Sequence, residues 1–132
     1  MSEKLCLITG GGSGIGRATA LKFAQNKINT IIVGRRNDAL EETVSLAKEN
    51  SVFLNPVKAD LSNEDGISDL FTIVEKNFDS HVNILVNNAG SSSKIRSIAH
   101  IPKNLWVDVF YINFISVYLL CLIFLQTRYQ HW

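Results

Sequence analysis

Short apolar runs alternate with stretches of helical periodicity along most of this chain. Four runs are apolar, rich in β-branched residues and too short for helices, which predicts strands. They are Leu5–Ile8, Thr30–Val33, Val52–Ala59 and Val82–Asn87. Between them the spacing predicts helices over Ile15–Asn26, from Asp38 to about Asn50, and from Ser62 or Asn63 to Phe78. The alternation predicts right-handed crossovers and a doubly wound parallel α/β sheet, with the first strand between the second and the fourth.

Local signals refine this pattern. Asn55-Pro56 interrupts the third run, and a proline inside a strand favours a position at the sheet edge. Asp38, followed by Glu41, predicts a capping box. The continuous apolar run Ile84–Val86 is typical of a strand covered on both faces. After the fourth strand we expect a short helix near Pro102 and then a long apolar helix to about Leu125.

A glycine cluster, Gly10-Gly11-Gly12-Ser13-Gly14-Ile15-Gly16, lies between the first predicted strand and the first predicted helix. Glycines allow a sharp turn and a close approach of the backbone to a ligand. The helix start offers free N–H groups and the positive end of the helix dipole, which suits a phosphate. The cluster therefore predicts a dinucleotide site, although an ordinary loop is the alternative for a glycine-rich turn taken alone.

Three further landmarks follow in order. Asp60-Leu61 ends the third strand, Asn87-Asn88-Ala89-Gly90 ends the fourth, and Asn113 lies within the long apolar helix. With the turn pattern T-G-x-x-x-G-x-G, they resemble the short-chain dehydrogenase/reductase family from about Glu3 to about Leu125. The resemblance implies a Rossmann-like fold, here incomplete with about four strands, in a single dinucleotide-binding domain over 1–132.

The resemblance also implies residue roles. The residues that would line the pyrophosphate and adjoining ribose are Gly10, Ser13, Ile15 and Gly16, and Gly14 would permit the close approach. Those that would flank adenine and the cofactor ribose are Asp60, Leu61, Asn87, Ala89 and Gly90. Asn113 matches the family's asparagine, whose main chain holds a water of the proton relay. The alternatives are that Asp60 is a cap or turn residue and that Asn113 is a polar residue paired inside an apolar helix.

The end of the second strand indicates which nicotinamide cofactor is preferred. An acidic residue there would bind a ribose 2′-hydroxyl, whereas arginine accommodates a 2′-phosphate. Gly34 is followed by Arg35 and Arg36, and the first acid is Asp38. We therefore expect NADP(H) to be favoured over NAD(H), with Arg17 adding positive potential. The alternative for Arg36 is an ordinary solvated loop charge.

The family's catalytic serine and Tyr-x-x-x-Lys motif are not found in this sequence. The last lysine, Lys103, precedes all three tyrosines. The sequence thus predicts a chain truncated before these residues, an oxidoreductase by family that is itself inactive toward a carbonyl or alcohol substrate. The alternative is a non-catalytic nucleotide-binding or dimerising protein that modulates a full-length reductase.

The Leu105–Leu125 helix carries no charge between Asp108 and Arg128, a span near the lower limit for crossing a membrane. A tail-anchored membrane protein is one interpretation. We favour a helix that packs on the sheet and buries its other face in a dimer. The same truncation would make the fourth strand an edge and leave an exposed apolar patch, and it predicts poor solubility or association with a relative.

Composition indicates which kinds of partner and which cellular compartment to expect. The 132 residues carry a formal net charge of +1 with no basic or acidic block, which argues against nucleic acid. Two distant cysteines, Cys6 and Cys121, are typical of buried, reduced thiols in a cytoplasmic protein. Only Met1–Lys4 precede the first strand, so no signal peptide is expected, and no residue spacing indicates a metal site.

Overall fold

A parallel β-sheet forms the centre of the molecule. The computed structural model describes residues 4–78, 81–95 and 97–129, and Met1–Glu3 of the segment before the first strand lie outside these ranges. Within them the strands are β1 (Leu5–Thr9), β2 (Asn29–Gly34), β3 (Leu54–Lys58) and β4 (Ile84–Val86). Their order is β3-β2-β1-β4, and every pairing is parallel. This confirms the predicted α/β class, the place of β1 between β2 and β4, and the edge position of β3.

Helices cover both faces of the sheet. They are α1 (Gly14–Gln25), α2 (Asn37–Leu46), α3 (Glu64–Asn77), α4 (Lys103–Phe110) and α5 (Ser116–Arg128). Side chains alternate along a strand, so Leu5 and Leu7 pack with α3 and α5. Cys6 and Ile8 point the other way and pack with α1 and α2. The two apolar clusters are the two halves of a doubly wound core.

Helix α2 differs from its prediction at both ends. It begins at Asn37 with Arg36 as its N-cap, and no side chain caps it. The Asp38 carboxylate instead pairs with Arg36, so the predicted capping box is wrong. The helix ends at Leu46, and a 3₁₀ segment, Lys48–Phe53, replaces its expected last turn. Lys48 has a φ of 51°, outside the α-helical region, which explains the early end.

Helix α3 follows its prediction closely. The side chain of Asn63 accepts a hydrogen bond from the Gly66 amide at 2.8 Å and caps the helix, as one of the two predicted residues. The residues at helical spacing are buried in the core. They are Ile67, Leu70, Phe71 and Val74.

The predicted short and long helices after β4 are one continuous helix. Pro102 is its N-cap, and α4 and α5 are joined by the π-helical segment Tyr111–Ile115. No glycine or proline interrupts the stretch, so nothing ends the first helix. Among the described residues, this Lys103–Arg128 helix is long and apolar enough to cross a membrane. Such a helix is weak evidence for a membrane protein, because core helices of soluble proteins share this composition.

Candidate dinucleotide-binding site

A cleft of about 810 Å³ opens at the carboxyl ends of β1, β2 and β4. Strand order reverses across β1, and ligands of open α/β sheets bind at such a point. The predicted site residues that line the cleft are Gly10, Ser13, Gly14, Ile15, Arg35, Arg36, Leu61, Ala89 and Gly90. The other four lie just outside its lining. They are Gly16, Asp60, Asn87 and Asn113.

The glycine turn has a defined backbone requirement at three positions. Gly10 and Gly14 have φ angles of 68° and 53°, in the left-handed region that favours glycine. A Cβ at Gly16 would collide with the carbonyl oxygen of Gly10 and with Nδ2 of Asn88. A Cβ at Gly14, by contrast, would meet nothing within 4 Å, because Gly14 faces the open cleft.

The N-terminus of α1 points its first amides toward this cleft. Its N-cap, Ser13, makes no capping hydrogen bond through its side chain. The helix start has no acidic residue in its first turn. Ile15, in that turn, is 79% exposed although it is apolar. The free amides and the exposed side chain form a surface suited to a phosphate and the ribose beside it.

Thr9 and Asn88 join β1 to the segment that follows β4. The Thr9 hydroxyl oxygen accepts hydrogen bonds from the amides of Asn88 at 3.0 Å and Ala89 at 2.9 Å. The Asn88 side chain donates to the carbonyls of Thr9 at 3.0 Å and Gly10 at 3.2 Å. These bonds hold the two sides of the cleft floor together.

Sequence reasoning missed Asn88 and chose its neighbour Asn87. The Asn87 side chain is exposed and donates to Sγ of Cys121 at 3.3 Å, on α5. Successive residues after a strand end point in different directions, so the two asparagines have different neighbours. The register pairs Ile8 with Val86, which places Asn88 opposite the glycine turn.

Arg35 and Arg36 differ in whether their guanidinium groups are free to bind an anion. Arg36 donates to the Asp38 carboxylate at 2.9 and 3.4 Å, and both side chains are largely exposed. This hydrogen bond lowers the pKa of Asp38 and raises that of Arg36. Arg35 is exposed beside it and makes no hydrogen bond or ion pair within the described ranges. Of the two guanidinium groups, that of Arg35 is the one left to meet an anion.

Arg17 is not a solvated source of positive potential. Its guanidinium group donates to the carbonyl of Gly12 at 2.6 Å and to Oγ1 of Thr43 at 3.0 Å. It also forms an ion pair with Glu42 at 2.8 Å. The side chain fastens the glycine turn to α2.

Asp60 serves as a turn residue in this structure. Its Oδ1 accepts hydrogen bonds from the Ser62 amide at 3.0 Å and the Ser62 hydroxyl at 2.7 Å. These bonds lower the pKa of Asp60, and the charge of Arg35 adds to the shift. Leu61 is buried in the cleft wall, and its carbonyl accepts a hydrogen bond from the Ser116 hydroxyl.

Asn113 lies in the π-helical segment, beside the loop that follows β4. Its Nδ2 donates to the carbonyls of Ser91 at 2.6 Å and Val109 at 2.7 Å. A Cβ at Gly90 would approach Oδ1 of Asn113 to 2.6 Å, so Gly90 permits this packing. The neighbouring Ile112 is buried and lines the cleft. π-helical segments are frequent at functional sites.

These features fit a nicotinamide dinucleotide. The turn offers backbone that no Cβ obstructs, the helix start offers amides, and Arg35 offers a free cation. In the described part of the chain, no three His, Cys, Asp or Glu side chains cluster.

A family model for short chain dehydrogenases matches residues 4–131. The chain belongs to the short-chain dehydrogenase family. Among curated relatives of this chain, a probable 2,4-dienoyl-CoA reductase 3 of Caenorhabditis elegans is 38% identical over 93 residues. The match covers 70% of this chain and 30% of the worm protein.

Solved structures of short-chain dehydrogenases share the fold. An enzyme from Bacillus anthracis has a TM-score of 0.84 at 27% identity, over 96% of this chain and 52% of that one. The RhlG/NADP active-site complex of Pseudomonas aeruginosa has a TM-score of 0.79 at 28% identity, over 95% and 48%. The chain thus spans about half the length of these related structures.

Proposed function

We propose that residues 1–132 act as the NADP(H)-binding unit of a short-chain dehydrogenase. The observation that carries the proposal is one cleft that combines the α1 N-terminus, without a side-chain cap, with an Arg35 guanidinium that has no ion pair in the described ranges. The family reaction is hydride transfer between NADP(H) and a carbonyl or alcohol. When bound, the nicotinamide supplies or accepts that hydride.

The chain's own residues would bind and orient the cofactor. Gly10, Ser13, Gly14, Ile15 and Gly16 would form the surface for the pyrophosphate and its ribose. Asp60 and Leu61 would flank the adenine. Asn87, Ala89 and Gly90 would border the nicotinamide ribose, and the main chain at Asn113 would hold a relay water. In this assignment Asn88 is a positioning residue, because its side chain fixes the glycine turn.

The preference for NADP(H) over NAD(H) depends on Arg35. A guanidinium binds phosphate through a charge-assisted fork, and Arg35 is free to do so. Arg36 is a weaker candidate, since it already pairs with Asp38. The NADP complex of the relative RhlG is in keeping with this assignment.

The adjacent arginines provide a matched test. Nucleotide affinities can be measured by fluorescence titration of the full chain with NADPH and NADH. Arg35→Met should weaken NADPH binding about tenfold or more and change NADH binding little, since a charged hydrogen bond is worth about 1.5–3 kcal/mol. Arg36→Met is the control and should have the smaller effect. Equal effects of the two substitutions would contradict the assignment to Arg35.

We further propose that this chain alone does not turn over substrate. It contains no Tyr-x-x-x-Lys, and a positioned acid or base typically contributes about 10²–10⁴ in rate. Incubation with NADPH and a panel of carbonyl compounds should leave the nicotinamide absorbance unchanged. Turnover in proportion to the amount of protein would contradict this proposal.

An aromatic row on the long helix supports a second function, formation of a dimer. Trp106, Phe110 and Phe114 stack on one another with ring centroids 5.5 and 5.3 Å apart, and all three are exposed, as is Tyr118. We propose that a second copy of this chain covers the row. The face carries no charge between Asp108 and Arg128, so two copies can meet without repulsion between like charges.

Replacement of two exposed rings tests the dimer. Phe110→Ser/Phe114→Ser should convert the dimer to a monomer in sedimentation experiments, with little loss of monomer stability. A wild-type chain that is monomeric at high concentration would contradict the proposal. Retention in carbonate-washed membranes would instead favour the tail-anchored alternative, and copurification with a longer reductase would favour a modulating role.

A further inference from the structure

The wall of the cleft contains a negative charge that would oppose a 2′-phosphate. Glu42 lies on α2 and lines the cleft with Arg35 and Arg36. Its carboxylate is largely exposed, and its charge contributes to the raised pKa of Arg36. An unneutralised carboxylate at this position would repel a phosphate dianion.

Arg17 neutralises this carboxylate from a fixed position. The two side chains form an ion pair at 2.8 Å, and the Arg17 side chain is only 22% exposed. The same nitrogen, Nη2, also donates to the carbonyls of Gly12 and Ala39, while Nε donates to Thr43. Because several acceptors hold the guanidinium on the α2 side, it is poorly placed to turn toward a ligand.

We propose that Arg17 determines the preference for a 2′-phosphorylated nucleotide indirectly, by masking the charge of Glu42. Arg17 is then a positioning residue, and the group that meets the phosphate is Arg35. This inference rests on the proposed NADP(H)-binding function. It distinguishes Arg17 from an ordinary phosphate ligand, because its effect should vanish when Glu42 is made neutral.

A double-mutant cycle on the full chain tests the masking. The quantity to measure is the ratio of the dissociation constants for NADH and NADPH, obtained by fluorescence titration at low salt. Arg17→Met should lower this ratio about tenfold, because it exposes the Glu42 charge. Arg17→Met/Glu42→Gln should restore it, and Glu42→Gln completes the cycle.

Other outcomes are equally decisive. If Arg17→Met weakens both nucleotides equally, or if the double variant does not regain the ratio, the masking role is wrong. Arg17→Lys keeps the positive charge but lacks the several donors of the guanidinium group. This variant replaces Arg17→Met in the test if Arg17→Met does not fold. It should weaken both nucleotides while keeping the ratio within about threefold, and a tenfold drop would contradict the inference. If the wild-type chain binds neither nucleotide, the proposed function itself fails, and the inference fails with it.

Discussion

Strands β1 and β4 are parallel neighbours with similar apolar sequences, yet they lie in different surroundings. All five residues of β1, Leu5–Thr9, are buried, whereas all three of β4, Ile84–Val86, are only half-buried. β1 has a strand on each side, while β4 pairs with β1 alone among the described residues. Leu85 packs against one core cluster and Ile84 and Val86 against the other, so β4 is covered on both faces, and its partial exposure comes from its position at the edge of the described sheet.

The region around β1, β2 and α2 is well packed within the chain, whereas β4 and the helices α4 and α5 have fewer packing contacts. Around β1, β2 and α2, Arg17 and Thr43 bond the glycine turn to the rest of the chain. Along α4 and α5, by contrast, several large aromatic side chains are exposed. An apolar run thus predicts a strand, but its depth of burial depends on neighbours that lie elsewhere in the fold.

Core truncations on paired residues should give the largest contrast. Leu7 and Leu85 are partners in the β1–β4 register, and Leu7 is 0% exposed. Leu7→Ala should lower the free energy of unfolding by about 3 kcal/mol, and Leu85→Ala by clearly less, because a buried side chain leaves a larger cavity. Urea denaturation of both variants measures the difference. Equal losses would mean that β4 is as well covered as β1.

Substitution of Asn88, which joins β1 to the segment after β4, should have an intermediate effect on the free energy of unfolding. Asn88→Ala removes the donors to Thr9 and Gly10 and should cost about 1–2 kcal/mol in unfolding free energy. Asn87→Ala is the matched control, because its side chain is exposed and contacts a thiol. Thermal melts of the two variants can be compared directly. A larger loss for Asn87→Ala would contradict the role of Asn88 in joining β1 to the segment after β4.

The reactivity of the two thiols tests the difference in burial between β1 and α5 without any substitution. Cys6 on β1 is 0% exposed, and burial raises its pKa to about 12, whereas Cys121 on α5 is half-buried. At pH 8, a thiol reagent should label Cys121 and leave Cys6 intact, as peptide mass spectrometry can show. Since the folded pKa of Cys6 exceeds its ordinary value of 9.0, its contribution to stability is complete below pH 9 and falls as the pH rises toward 12. Rapid labelling of Cys6 at pH 8 would contradict its burial.

The strand pattern and the cap of α3 were predictable because they depend on nearby residues. Apolar runs located all four strands, and Asn63 stands next to the helix it caps. Chain order, with the crossover rule, also predicted β1 at the centre. The resemblance then predicted which strand ends line the cleft.

The errors came from a competing local ion pair and from contacts between distant residues. Asp38 was expected to cap α2, but Arg36 attracts its carboxylate. Arg17 and Glu42 are 25 positions apart, and no local pattern indicates that they pair. Asn88 and Thr9 meet only because β1 and β4 are neighbours. The Arg17–Glu42 and Thr9–Asn88 contacts follow from the fold, and no short window of sequence contains them.

Chemical-shift mapping can show whether the glycine-turn region forms a dinucleotide site. The ¹⁵N-labelled full chain would be titrated with NADPH and followed amide by amide. We expect saturable shifts at the amides of Gly10–Gly16, Arg35 and Asn88–Gly90, and none in the groove along β3 near Asn55 and Asn77. An absence of shifts at millimolar nucleotide, or shifts confined to the β3 groove, would contradict it.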